Sequence, residues 1–249
     1  MFWDPAGAEG NIQRCSNTPP PMKTILLLAA TVAALPGFAS GQTITQTLNF
    51  SGIPDFSQPL LFNKYDGPAS NLLNVNVSYS ITIEGGQFIV DNDANSPASV
   101  TANFGAGLDT TNSPDVHLLD DSFNPIINGV SVTNSATYNL AANVGDGLND
   151  YDPSGPDGAV LVGTTKTTTG GDDVNAAFRN EFVGSGQFTI TPNARQIGSL
   201  SYNSGLETAT TPVNAFGSIT VTYTIVPEPS STALLGLAAL GLAFRRRRA

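Results

Sequence analysis

Side-chain oxygens are concentrated in one segment near the middle of the chain, Asp146–Gly158. Within it, two aspartates, a serine and Gly155 follow the first, third, fifth and sixth positions of calcium-binding loops, in which hard oxygen ligands converge on one ion. Position twelve of that pattern is Leu161, so the usual bidentate carboxylate is missing. The candidate metal ligands are Asp150, Asp152, Ser154 and Asp157. The alternative is an acidic turn in which Asp and Asn side chains hydrogen-bond to their own backbone.

A second, weaker version of the same pattern is Asp91-Asn92-Asp93-Ala94-Asn95. It has the same two interpretations, a calcium ligand set or a self-capped turn. Calcium is the one cofactor that the sequence allows us to suggest.

Catalysis by a nucleophilic triad requires an imidazole beside a serine, with a carboxylate behind it. His117 is the sole histidine of the chain, and Asp120 and Asp121 follow it. No Gly-x-Ser-x-Gly elbow accompanies it, because Gly184-Ser185-Gly186 is too short. A pair of carboxylates for glycoside hydrolysis depends on a separation that the sequence does not reveal. We therefore predict a structural histidine and a protein that is not an enzyme.

Carbohydrate binding is a third possibility, because sugar-binding β modules use exposed aromatic rings. The sole tryptophan, Trp3, lies near the N terminus. Tyr79 and Tyr223 occupy apolar positions of alternating segments and are predicted to be core residues. Tyr151, in the acidic segment, is the best candidate for an exposed sugar contact.

The fold class follows from period-two alternation of apolar and polar residues. Val75–Ile83 and Ile219–Ile225 alternate strictly, which is typical of strands with one buried face. Shorter segments of the same kind are Ile44–Phe50, Phe88–Val90, Val116–Leu119, Ile126–Val132, Tyr138–Leu140, Val160–Val162, Phe188–Thr191 and Leu200–Tyr202. Turn-forming residues separate them, so the sequence predicts an all-β antiparallel sandwich, jelly-roll-like, with one helical turn around Val174–Phe182.

Charge and cysteine content limit the function of the central region, residues 42–226. It contains 17 acidic and 4 basic residues, a balance of −13. Such a surface repels nucleic acid, so we expect no nucleic-acid partner. The single cysteine, Cys15, lies outside this region, so the domain is predicted to be stable without disulfides.

The N-terminal part has the pattern of a secretory signal peptide. Met22-Lys23 precedes an apolar run that ends at Leu35, and small residues follow at 39–41. Residues 22–41 are therefore interpreted as a signal peptide, read by Sec-type export machinery and signal peptidase. Residues 1–21 are interpreted as a dispensable leader produced by a start codon placed too far upstream.

The C-terminal segment, residues 227–249, has three parts. Pro227-Glu228-Pro229 is a triplet that cannot continue a strand or enter a helix interior. An uncharged apolar run of 12 residues, Ala233–Phe244, follows it and predicts a short transmembrane helix. A cluster of four arginines closes the chain, Arg245, Arg246, Arg247 and Arg248, and predicts a cytoplasmic end. The run is shorter than the roughly 20 residues that span a bilayer, which favours transient over permanent anchoring.

These three parts, in this order, resemble the PEP-CTERM sorting signal of Gram-negative bacteria. The resemblance implies recognition and cleavage by an integral-membrane exosortase, followed by transfer to the cell surface or to the extracellular matrix and its exopolysaccharide. The alternative is an ordinary tail anchor with a proline-rich linker, which would remain in the inner membrane.

Residues 42–226 resemble the choice-of-anchor E domain, an extracellular β domain that is joined in different members to different C-terminal anchors. The segments that carry the resemblance are Phe62–Gly67, Leu72–Val75, Asp150–Gly155, Phe182–Phe188 and Gly217–Thr224. The resemblance implies an exported β domain and no enzymatic activity.

Overall fold

The computed structural model describes residues 41–144, 154–201 and 205–226, and the regular secondary structure of these ranges is almost entirely β-strand. The strands are β1 (Gln42–Gly52), β2 (Phe56–Ser57), β3 (Leu60–Asn63), β4 (Leu72–Glu84), β5 (Gln87–Asn92), β6 (Ala98–Asn112), β7 (Val130–Leu140), β8 (Gly158–Val162), β9 (Lys166–Asp173), β10 (Gln187–Ser201), β11 (Leu206–Thr211) and β12 (Asn214–Ile225). Two short 3-10 turns, Ala69–Asn71 and Arg179–Phe182, complete the regular structure of these ranges. The predicted all-β class is confirmed for these ranges.

The strands form three sheets in which all paired strands are antiparallel. A four-stranded sheet has the order β1-β12-β4-β9, and a five-stranded sheet has the order β2-β10-β6-β7, with β3 also paired to β10. The third sheet has the order β11-β5-β8. The longest ladders join β12 to both β1 and β4, and β6 to both β7 and β10.

The three-stranded sheet continues the four-stranded one around a bend. The strands β12, β4 and β9 are neighbours in one sheet, and β11, β5 and β8, which adjoin them along the chain, are neighbours in the same order in the other. Gly85 and Gly86 form the bend between β4 and β5, with φ of 66° and 75°. The Gly163 amide donates to the Gly86 carbonyl oxygen across a distance of 2.9 Å. Three neighbouring strands therefore change direction together.

The apolar positions of the four- and five-stranded sheets form one hydrophobic core. Val75, Val77, Ile81 and Ile83 of β4 are completely buried, which confirms the alternation predicted for this strand. Ring contacts fill the centre of the core. The Phe62 and Phe188 rings stack at 5.7 Å, and the Phe182 ring meets Phe188 edge-on at 5.1 Å. The same cluster includes buried residues of the three-stranded sheet.

Several strand predictions were wrong in detail. The predicted strand Val116–Leu119 is a loop, whose alternation arises because Val116 and Leu118 are buried in the core. Phe188–Thr191 and Leu200–Tyr202 were predicted as separate strands, whereas β10 runs without interruption from Gln187 to Ser201. The strands β2, β3, β6, β9 and β11 were not predicted.

The predicted helical turn around Val174–Phe182 is reduced to the 3-10 turn Arg179–Phe182. Asn175 prevents the helical turn from starting earlier. Its side-chain Oδ1 accepts a hydrogen bond from the Ala177 backbone amide at 2.9 Å, and its backbone amide donates to the Leu119 carbonyl oxygen at 2.8 Å. These bonds divert the backbone from helical pairing.

The predicted leader, signal peptide, sorting triplet, C-terminal helix and arginine cluster lie outside the described residues. Within the described ranges, no helix has the length and hydropathy needed to cross a membrane.

The bend between the sheets predicts a strong effect of Gly163→Ala. A Cβ at this position would lie 1.9 Å from the Gly85 carbonyl oxygen, so the backbone of the bend would have to move. We expect urea unfolding to show a loss of stability of about 1–3 kcal/mol. Gly186→Ala is the matched control, because a Cβ there has no neighbour within 4 Å. Equal stabilities of the two variants would contradict the close approach.

Candidate functional sites

The first candidate site lies where β5 ends and β8 begins. Asp157, immediately before β8, is completely buried. Its Oδ2 accepts from the Val144 amide at 2.8 Å, and its backbone oxygen accepts from the Asn92 amide at 3.0 Å. Its Oδ1 has no hydrogen-bond partner among the described residues. A carboxylate oxygen in the interior is costly unless a donor or a cation satisfies it.

Strand register brings further acidic residues to this end of the three-stranded sheet. Asp91 of β5 is 1% exposed and lies directly opposite Glu207 of β11 and Gly158 of β8. Directly opposed residues on antiparallel strands project from the same face. The Asp93 carboxylate, two residues after Asp91, accepts a hydrogen bond from the Asn143 side-chain amide at 3.2 Å. We call Asp91, Asp93, Asp157 and Glu207 the acidic end.

The acidic end contains part of both calcium patterns predicted from the sequence. Asp157 and the Asp91–Asn95 segment are brought together, whereas Ser154 is exposed. Asp150, Asp152 and the predicted sugar contact Tyr151 lie outside the described residues. In the described ranges, no three acidic, histidine or cysteine side chains form a group that could hold a metal ion. Sequence reasoning missed Glu207, which only strand register places here.

A neutral groove of about 440 Å³ lies between β10 and β11, and none of the residues of the acidic end lines it. It is lined by Phe88, Gln196, Gly198, Ser199, Leu200, Thr208 and Thr210. Ile190 and Ala194 of β10 are buried, and the positions that continue their alternation are Gln196 and Gly198, both exposed. The apolar core therefore stops here, and hydroxyl and amide groups take its place.

A second candidate site surrounds His117, in the loop between β6 and β7. Its Nδ1 lies 2.9 Å from both carboxylate oxygens of Glu181, and its backbone amide donates to Glu181 Oε2 at 2.8 Å. Its ring stacks on Phe178 with centroids 4.6 Å apart. In the described part of the chain, the His117 ring thus contacts the Glu181 carboxylate and the Phe178 ring, an arrangement that anchors the loop to the turn Arg179–Phe182.

Phe123 lies at the tip of the same loop. Its side chain is 62% exposed and its φ is 63°, a left-handed conformation that costs about 1–2 kcal/mol in a residue with a Cβ. The Asp120 carboxylate imposes this conformation, because its Oδ1 accepts from the amides of Ser122 and Asn124 at 2.8 and 2.9 Å. Backbone bonds between Asp120 and both Phe123 and Asn124 close the tip. The Phe123 ring meets Phe178 edge-on at 6.1 Å.

Further contacts fix both ends of this loop. Lys64 Nζ lies 2.6 Å from Asp115 Oδ2, and this bond holds the pKa of the Asp115 carboxyl below its usual value. At the other end, Asp109 pairs with Arg195 and accepts from the Gly129 amide at 2.6 Å. Sequence reasoning identified His117 but missed Phe123 and Glu181. The run of turn formers around Phe123 was the available signal.

The tyrosines predicted to be core residues are packed as expected. Tyr223 is 1% exposed, and its hydroxyl donates to the Asn63 carbonyl oxygen at 2.8 Å. Burial raises the pKa of the Tyr223 phenol well above its ordinary value. Tyr79 is partly buried and packs against the core.

The last strand leads directly to the sorting segment. β12 ends at Ile225, and the Val226 amide donates to the Asn71 carbonyl oxygen at 2.8 Å. This bond fixes the end of the described chain to the 3-10 turn Ala69–Asn71, one residue before Pro227.

Comparison with curated proteins gives no match. Among solved structures, the chain is similar to infectious bursal disease virus Gt strain, at 10% identity and a TM-score of 0.17, over 76% of this chain and 43% of that one. The Gx strain gives 11% identity and a TM-score of 0.15, over 84% and 49%. The chain thus spans less than half of these viral chains. Residues 226–248 match the PEP-CTERM protein-sorting motif. This chain therefore carries a PEP-CTERM motif, which indicates an exosortase-sorted protein of the cell surface or extracellular space.

Proposed function

We propose that this protein is a non-enzymatic component of the cell surface or extracellular matrix, with its β domain as the mature product. The observation that carries the proposal is the sorting motif at residues 226–248, which begins at the last described residue of the domain. The balance of −13 over residues 42–226 supports a soluble exported domain that does not bind nucleic acid.

Export proceeds in two stages in this proposal. Sec-type machinery and signal peptidase process residues 22–41, and the C-terminal segment then holds the protein transiently in the inner membrane with Arg245–Arg248 on the cytoplasmic side. Exosortase recognises Pro227-Glu228-Pro229 and cleaves there, which releases the domain. The hydrogen bond from Val226 to Asn71 holds the folded domain together up to the triplet, so cleavage there would leave the domain intact.

We further propose that the domain is a jelly-roll sandwich of the choice-of-anchor E type. The bent pairs β4–β5, β8–β9 and β11–β12 each count as one strand, and β2 and β3 together count as another. If the resulting eight strands are renumbered 1 to 8 in chain order, the two sheets have the strand orders 1-8-3-6 and 2-7-4-5. Two four-stranded antiparallel sheets with long crossing connections are characteristic of jelly rolls. The shared hydrophobic core supports packing of the two sheets face to face.

A second candidate function is calcium-assisted carbohydrate binding, in which the domain holds exopolysaccharide. One observation favours it: Asp157 Oδ1 is buried without a hydrogen-bond partner among the described residues. The neutral groove between β10 and β11 lies on the other face of β11, because Thr208 and Glu207 are consecutive residues of that strand and project to opposite sides. Asp150, Asp152, Ser154 and Asp157 would supply oxygen ligands, and Tyr151 a ring for the sugar.

The sorting proposal predicts the mature C terminus. Mass spectrometry of the surface protein should give a terminus near Pro229, because the triplet is the recognition element. Simultaneous replacement of Pro227, Glu228 and Pro229 by Ala should leave Arg245–Arg248 on the protein and keep it in the inner-membrane fraction. Glu84→Ala, an exposed glutamate of β4, is the control and should be processed normally. Arginines retained on the mature wild-type protein would instead indicate a permanent anchor.

The calcium proposal predicts a stabilising response of the full chain to calcium. At ten times the Kd, binding to the folded state adds about 1.4 kcal/mol, which corresponds to a Tm increase of about 3–5 °C. Asp157→Asn should reduce this increase, because it removes a buried negative charge at nearly constant volume. Asp66→Asn, at an exposed position, is the matched control. Absence of both heat and Tm shift at millimolar calcium would favour the self-capped acidic turn.

A further inference from the structure

We propose that His117, Phe123 and Phe178 form a binding platform for one pyranose ring of a neutral polysaccharide. We call these three residues the aromatic platform. The inference rests on the proposed extracellular location, but it is independent of the calcium-assisted site, because the platform contains none of the residues of the acidic end.

The conformation of Phe123 is the first observation. The ring is 62% exposed, so its burial in the folded protein contributes little, while its φ of 63° is unfavourable for a residue with a large side chain. Glycine or asparagine would fit the same tip without this cost. Strain of this kind persists where the surrounding structure imposes it, and it is concentrated at functional sites. Among the described residues, Phe178 contacts one edge of the ring, and most of Phe123 is open to a ligand.

The platform is also rigid before any ligand arrives. The two hydrogen bonds accepted by Asp120 fix the tip, and the edge-on contact with Phe178 orients the Phe123 ring. Phe178 is itself held by the stacked ring of His117, whose Nδ1 is bound to Glu181. A group that is already in its bound conformation loses little entropy on binding. The arrangement therefore favours a ligand with a rigid face.

The surroundings of the platform select the ligand class. A pyranose ring has a C–H face that packs on an aromatic ring and hydroxyl groups around its edge that need polar partners. The platform has one exposed aromatic ring, and polar groups of Asp121, Asn124 and the half-exposed imidazole of His117 lie next to it in the loop. A stable protein partner would instead require about 800 Å² of contact surface. The acidic groups nearby, including Asp121 and Glu181, disfavour polyanionic chains.

The test is calorimetric titration of the full chain with cellohexaose and mannohexaose as neutral probes and with oligogalacturonate as the anionic probe. We expect at least one neutral probe to bind, and oligogalacturonate to bind more weakly. Phe123→Ala should weaken binding of the neutral probe at least tenfold. Phe216→Ala is the matched control, because Phe216 is an exposed phenylalanine of β12 at 37% and is not part of the platform. Failure of both neutral probes to bind, or equal binding by Phe123→Ala, would overturn the proposal.

A second variant separates binding from folding. Phe123→Gly removes the ring and relieves the unfavourable φ, so it should raise Tm by about 2–4 °C while it abolishes binding of the neutral probe. A variant that loses binding yet is more stable cannot have lost it by unfolding. A lower Tm for Phe123→Gly would show that the ring stabilises the loop and would contradict the role assigned to the strain.

The two sugar-binding proposals give different results with a chelator. Binding at the aromatic platform should persist in EDTA and in Asp157→Asn, and it should be at least tenfold weaker in Phe123→Ala. The opposite pattern, loss in EDTA and in Asp157→Asn with no effect of Phe123→Ala, would support the calcium-assisted site and overturn the platform.

Discussion

The close approach of backbones at Gly85, Gly86 and Gly163 is the constraint on which much of the architecture depends. A side chain at Gly163 would separate β8–β9 from β4–β5, because its Cβ would clash with the Gly85 carbonyl oxygen. Gly85 and Gly86 are needed for their positive φ at the bend. Because the strands bend together, their hydrogen-bond ladders resume beyond the bend in the same order. The three-stranded sheet therefore keeps its register, and with it the positions of Asp91, Glu207 and the neutral groove.

The apolar core continues beyond the bend through Phe88 and Val90 of β5, and the polar environment begins at the far end of these strands. On the β4 side, the core is filled by β-branched and aromatic residues, as in β4 itself, where Val75 and Ile83 are completely buried. Beyond the bend, the same set of strands buries carboxylates, Asp91 on β5 and Asp157 before β8. Burial of charged groups requires hydrogen bonds or a cation. One continuous set of strands thus contains both the stabilising core and the polar end that the calcium proposal concerns.

The sequence predicts the fold class well because alternation is strong where one face of a strand is buried. It fails for β6, whose buried positions include Ala102 and Ala106, and for β9, which consists of Lys, Thr, Gly and Asp. β9 is defined by its pairing with β4, which leaves no apolar alternation in its sequence. β6 does alternate from Val100 to Leu108, but the small residues Ala102 and Ala106 and the glycines between apolar positions weaken the signal. The sequence predicts only part of the acidic end, because one of its residues is brought there by strand pairing. Local spacing identifies Asp91 and Asp157, whereas Glu207 is brought to them by strand register alone.

Phe123 is the clearest conflict between local preference and observed structure in the described chain. A left-handed backbone position favours Gly or Asn, and the hydrophobic effect favours an aromatic ring in the protein interior. Phe123 satisfies neither preference, although Asp120 and Phe178 on either side of it are arranged to hold it. Natural sequences are locally consistent with their folds except where function requires otherwise. The energetic cost at Phe123 is thus better explained by a ligand of the folded protein than by the folding of the loop.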